Sequence, residues 1–152
     1  MDYRENTRKM LPEELASCIE ESTIHMTDEY TCSPEVLRVG DAVIGTLGNF
    51  SASIGKAKSK KTFNVSAIVA SALSNDEVLR YNADFPSDKR NILYFDTEQG
   101  RHHCQKVLKR IVRLANLPID IEPENLKILA LRKYTPEERL DIVEYALETI
   151  PN

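Results

Sequence analysis

The sequence predicts an α/β domain with a mostly parallel sheet flanked by helices, and three observations lead there. Short apolar runs alternate with segments of helical period. One run, ILYF at residues 92–95, is apolar without a break and ends at once in Asp96 and Glu98. Continuous apolarity is what a strand covered on both faces needs, as inside a parallel sheet. The third is a lysine-rich loop, GKAKSKKT at 55–62, lying between a strand candidate and an apolar helix candidate. The expected order is strand, loop, helix, strand, helix, strand, helix, with right-handed crossovers.

Residues 1–33 read as an N-terminal extension. Leu11, Leu15, Cys18 and Ile19 recur at helical spacing after Pro12, and a polar stretch runs from Glu20 to Ser33. The main domain is expected over 34–152. VLRV and AVIGTL look like short strands broken by Gly40, Gly45 and Gly48, and Asn49 to Ile54 reads as a strand entering the lysine loop. FNVSAIVASAL is apolar nearly all round, which suits a helix buried on most faces beneath a sheet. SNDEVLRYNADFPSDKR, polar and holding Pro86, reads as a surface connection.

Beyond ILYF, apolar residues fall at Cys104, Val107, Leu108, Ile111, Val112 and Ala115. Lys106, Lys109, Arg110 and Arg113 take the other side, giving an amphipathic helix with a basic outer face. LKILALR is a further strand. The last helix, Pro136 to Ile150, carries Leu140, Val143, Leu147 and Ile150 at helical spacing, with Thr135 as N-cap and Pro136 at the first helical position.

With 152 residues, 41% of them hydrophobic and 29% charged, the chain has the make-up of one ordinary folded domain. No apolar run approaches the roughly 18 residues of a membrane span, and MDYRENTRKM has no hydrophobic signal segment, so the expected location is the cytoplasm with no membrane partner. Cys18, Cys32 and Cys104 lack paired spacing and read as free thiols. His102, His103 and Cys104 are potential soft ligands, but neighbours on a helix point in different directions. Net charge is −4, yet Lys and Arg outnumber Asp and Glu between residues 55 and 113 and are outnumbered on both sides. That asymmetry fits an anionic ligand bound centrally.

A phosphate-binding loop needs inward backbone N–H groups, a lysine for the β- and γ-phosphates and a hydroxyl for magnesium, all at a helix N-terminus. Against GxxxxGK[ST], Gly55 fits the first glycine, Lys61 the lysine and Thr62 the hydroxyl, with Lys56, Ala57, Lys58 and Ser59 between them. Lys60 stands where the second glycine belongs. A side chain there is unfavourable if the local φ is positive.

NFSASIGKAKSKKTF followed by NILYFDTEQG resembles the RecA-like P-loop ATPases of the RepA and replicative-helicase type, in particular those of Bacteroides-group mobile elements and plasmids. The resemblance covers roughly residues 34 to 150, and within that group a basic residue at the second loop glycine is familiar. It implies a P-loop NTPase fold, ATP and Mg²⁺ as cofactors, and a role in DNA replication or mobilisation. Residues 55–62 would hold the nucleotide, Lys61 would stabilise the γ-phosphate, Thr62 would ligate the metal and Glu98 would orient or deprotonate water.

Asp96 could order the site through water or cap the strand end, and Gln99 could sense the γ-phosphate or begin the next helix. Lys56 and Lys58 could add potential for phosphates or be solvated. The basic face of Arg101, Lys106, Lys109, Arg110 and Arg113 could meet DNA phosphates or only water. The family also implies a further strand ending in a Walker B aspartate, which does not follow here, so an incomplete domain prone to self-association is expected. The alternative function is a non-catalytic module whose degenerate loop binds nucleotide or phosphate and acts through partners. A small-molecule kinase fits less well, because no arginine-rich lid segment follows.

Overall fold

The structure is a computed structural model that describes residues 9–56 and 60–150. The chain forms two units, Met1–Cys32 and Ser33–Asn152. In the first, α1 (Pro12–Ser22) starts with Pro12 at its first position, and the Leu11 amide donates to the Glu14 carboxylate at 2.8 Å. That closes one orphan donor of the helix end. None of its residues is buried, so Leu11, Leu15 and Ile19 keep their apolar face open.

The second unit is mixed α/β, with two sheets. The larger has four strands in the order β2-β1-β4-β3, comprising β1 (Glu35–Val39), β2 (Ala42–Thr46), β3 (Glu77–Val78) and β4 (Tyr81–Ala83), all paired antiparallel. Parallel pairing is confined to β5 (Ile92–Asp96) and β6 (Leu126–Ala130), which run in register from Ile92 opposite Leu126 to Asp96 opposite Ala130. Two helices, α2 (Lys61–Ser74) and α3 (Arg101–Leu114), pack against each other through their buried faces, and α4 (Pro136–Thr149) follows β6.

The mostly parallel sheet expected from the alternation of elements therefore holds only for β5 and β6. Residues 35–46 instead close as a hairpin because the Gly40-Asp41 connection is too short for a crossover, and Gly40 supplies a φ of +54°. Gly45 faces Leu37 across that hairpin, where a Cβ would come within 3.2 Å of the Leu37 Cβ. The stretch taken as a surface connection holds β3 and β4, turned by Leu79 at φ 58°.

Asn49 to Ile54, expected as a strand, is irregular. Asn49 folds back on Thr46, its side-chain amide donating to the threonine hydroxyl at 2.7 Å, and Phe50 and Ile54 are 97% and 93% exposed. With no neighbouring strand to satisfy its backbone, β propensity alone does not make a strand there.

The core is the α2–α3 seam. Val69, Ala70 and Leu73 from α2 meet Val107 and Ile111 of α3 and Ala115 just past its end, with Val78 from β3 and Leu126 from β6 closing the ends. Ile92, Tyr94 and Ile128 pack on the same cluster, which places one face of the parallel pair against the helices. The α2 helix is buried over much of its circumference because small residues, Ser66, Ala67, Ala70 and Ser71, allow close approach. Its end is fixed to the antiparallel sheet by the Ser71 hydroxyl, which donates to the Asp76 carbonyl at 2.6 Å and lies 3.1 Å from that of Tyr81.

Thr135 caps α4 as expected: its hydroxyl accepts the Glu138 amide at 3.3 Å, and the Glu138 carboxylate accepts the Thr135 amide at 2.8 Å. The expected apolar face of that helix is only partly used. Ala146 is its buried residue, whereas Leu140 and Leu147 remain exposed.

Candidate nucleotide site

Lys60 is the N-cap of α2, with φ 60° and ψ 24°, in the left-handed region. It therefore takes the backbone conformation that a glycine at this loop position would take at no steric penalty. The Lys60 carbonyl accepts the Phe63 amide at 2.9 Å and the Asn64 amide at 3.1 Å, starting the helix. The amides of Lys61 and Thr62 belong to the first turn and have no acceptor inside the helix. Lys61 is exposed and Thr62 half-buried, while Gly55, Lys56 and Lys60 are exposed. Ala57, Lys58 and Ser59 lie outside the described residues.

One turn further, the Ser66 hydroxyl donates to the Thr62 carbonyl at 2.7 Å. Arg110 of α3 reaches the same hydroxyl at 3.5 Å, and its charge acts on Tyr94 of β5. Ile68, Val69 and Ala72 line an opening of about 320 Å³ together with Ile92 and Leu93 at the start of β5. Ile68, Val69 and Ala72 thus face the start of β5, and Ser66, one turn into α2, lies beside Arg110. Among the described residues no hydrogen bond or ion pair joins Lys61 or Thr62 to Glu98.

At the carboxyl end of β5 the two acids differ. Asp96 is 6% exposed, and its carboxylate accepts the amides of Glu98 at 3.0 Å and Gln99 at 2.7 Å. Its carbonyl also accepts the Leu131 amide at 2.7 Å, extending the parallel ladder by one bond. Asp96 is thereby committed to the turn between β5 and α3, the strand-capping alternative. Glu98 is exposed to solvent, and Gln99 is half-buried with its carbonyl 3.7 Å from the Cys104 thiol.

Asp96 has a further electrostatic effect. Burial pushes the Tyr94 phenol above its ordinary value, and the charges of Asp96, Cys104 and Glu98 push the same way, against Arg110. Burial also raises the Cys104 thiol, again with Asp96 adding to it. These groups are neutral at physiological pH, unlike an activated nucleophile.

A second opening, about 340 Å³, lies beyond the carboxyl end of β6 and is lined by Gln99, Gly100, Arg101, Ala130, Arg132 and Lys133. Arg132 and Lys133 escape a reading of LKILALR as one strand, because β6 stops at Ala130. A basic pair just past an apolar strand is the available signal, since crevices in α/β sheets form at strand carboxyl ends.

Among the described residues no three His, Cys, Asp or Glu side chains gather as a ligand set, and none of the helices is long and apolar enough to cross a membrane. His102 and His103 are exposed with ring centroids 5.7 Å apart, whereas Cys104 is buried on the other side of α3. No protein-family model matches the chain, and no curated protein or solved structure matches it either.

Proposed function

We propose that this chain is a RecA-like P-loop domain that binds ATP with Mg²⁺ at residues 55–62, hydrolyses it, and serves a helicase-like protein of DNA replication or mobilisation. The observation that carries the proposal is the left-handed Lys60 directly before Lys61 and Thr62 at the start of α2. That conformation lets a loop curl around a phosphate and hand over to a helix whose free amides and positive end favour the anion. Lys61 neutralises the terminal phosphates, and the Thr62 hydroxyl shares Mg²⁺ with phosphate oxygens and water. A magnesium site of that kind needs no cluster of protein carboxylates. Glu98, solvent-facing beyond β5, positions the attacking water. The role in DNA replication or mobilisation rests on the family resemblance alone.

A second reading, a binder that does not turn over, is favoured by the irregular backbone of residues 49–54, which leaves the loop's entry unanchored by a strand. Thermal melting with and without Mg·ATP tests both. A rise in Tm that Lys61→Ala abolishes supports binding, and phosphate release that Glu98→Gln removes marks an enzyme. Absence of a rise, or a rise that survives Lys61→Ala, ends the assignment. Homo-oligomerisation belongs to the same proposal: the outer edges of β5 and β6 are unpaired among the described residues. A monomer mass independent of concentration would count against it.

A further inference from the structure

The α3 helix contains five Lys and Arg residues and no Asp or Glu, and α2, packed along it, has no acid either. The whole chain nevertheless carries net charge −4. Lys106, Lys109 and Arg113 follow one another at i, i+3 and i+7, so they form a line of roughly 10 Å on the side opposite Val107 and Ile111. All three are exposed and, among the described residues, in no ion pair. Like charges at these spacings repel and weaken the helix. Arg113 lies in the last turn, where the helix dipole favours a cation, and Lys106 and Lys109 have no ion-pair partner among the described residues. Three exposed cations in line offer a site to a polyanion outside the helix.

The rest of the face selects among polyanions. The apolar residues Cys104, Val107, Ile111 and Val112 are buried, so α3 has no anchor for a lipid surface or for the apolar centre of a protein interface. No Phe, Tyr or Trp lies on α3, and its two rings, His102 and His103, sit at its start rather than along the cationic line, so that line lacks the stacking platform that single strands use. Phosphates of one strand advance about 3.4 Å per nucleotide along the duplex axis, so a line of this length laid along that axis spans about three of them. Arg101, at the same helix's start, adds Arg132 and Lys133 through the opening they share.

We propose that the outer face of α3 binds the phosphate backbone of duplex nucleic acid without reading its sequence. It stands apart from the loop's ligand, since Lys61 takes no part in it.

Fluorescence anisotropy of a labelled duplex of arbitrary sequence, titrated at salt concentrations from about 50 to 200 mM, tests this, because each phosphate contact contributes about 0.9 to the slope of log affinity against log salt. Lys106→Ala/Lys109→Ala should weaken binding about tenfold or more and lower the slope by about 2. Lys127→Glu, an equal change in net charge at the exposed position of β6, should alter affinity less than about threefold, and Lys61→Ala should leave it unchanged. Circular dichroism establishes that each variant is folded. No binding, equal loss in Lys127→Glu, loss in Lys61→Ala instead, or displacement of the duplex by poly-glutamate at matched charge would each overturn the proposal.

Discussion

The Asp96 carboxylate accepts the backbone amide of Gln99 at 2.7 Å, and through that bond a buried acid at the end of β5 sets the path of the chain into α3. The same oxygen accepts the Glu98 amide. Hydrogen bonds to a charged acceptor are worth about 1.5 to 3 kcal/mol each, and removing the acceptor leaves two amides facing a cavity. Asp96→Ala should lower unfolding stability by about 2 to 3 kcal/mol in urea titrations, whereas Asp96→Asn, which keeps an accepting oxygen, should lose about half of that. Equal losses for both would mean that the charge, not the turn, is what matters.

A second prediction concerns Lys60. A left-handed backbone at a residue with a Cβ costs about 1 to 2 kcal/mol, and glycine removes that steric term at the price of a more flexible unfolded chain, a loss of about 0.4 to 1 kcal/mol. Lys60→Gly should therefore raise stability by about 0.5 to 1 kcal/mol, and Lys60→Ala should not, because alanine keeps the Cβ. Thermal melts of the two variants side by side decide it. If alanine stabilises as much as glycine, charge repulsion within the loop is the dominant effect.

How far the fold could be read in advance depends on whether each element is held locally or by distant partners. The α3 helix was fully legible, since Cys104, Val107, Ile111 and Val112 are spaced to bury one side whatever they pack on. The unbroken ILYF run marked a strand and β5 pairs parallel with β6, but the cover on both faces that such a run implies is missing, since Ile92, Leu93, Tyr94 and Phe95 are only half-buried in a two-stranded sheet. By contrast, β3 and β4 have two and three residues, too few for any period to emerge, and their turn uses Leu79 where a glycine or asparagine would have announced it. Residues 49–54 had strand-like composition, but strand formation needs a neighbour that the local sequence cannot supply. At the candidate site, a helix after the loop was legible, although α2 starts at Lys61 rather than at Phe63, and the burial of Asp96 against the exposure of Glu98 was not, because both acids come at the end of the same strand.

The pH dependence of stability follows from Tyr94 and Cys104. Burial and the nearby Asp96 charge raise the tyrosine above its ordinary 10.0 and the cysteine above its ordinary 9.0 in the folded chain. Each group then keeps its proton to higher pH when folded than when unfolded. Below about pH 8 both are protonated in either state and contribute no pH dependence. As pH climbs past about 9, the unfolded chain loses these protons first and binds fewer than the native one, so stability must fall with rising pH. The Tm should accordingly drop between about pH 8.5 and 10.5, and Tyr94→Phe with Cys104→Ala should flatten that drop relative to its own value at pH 7. An unchanged alkaline slope in the double variant would place the titrating groups elsewhere.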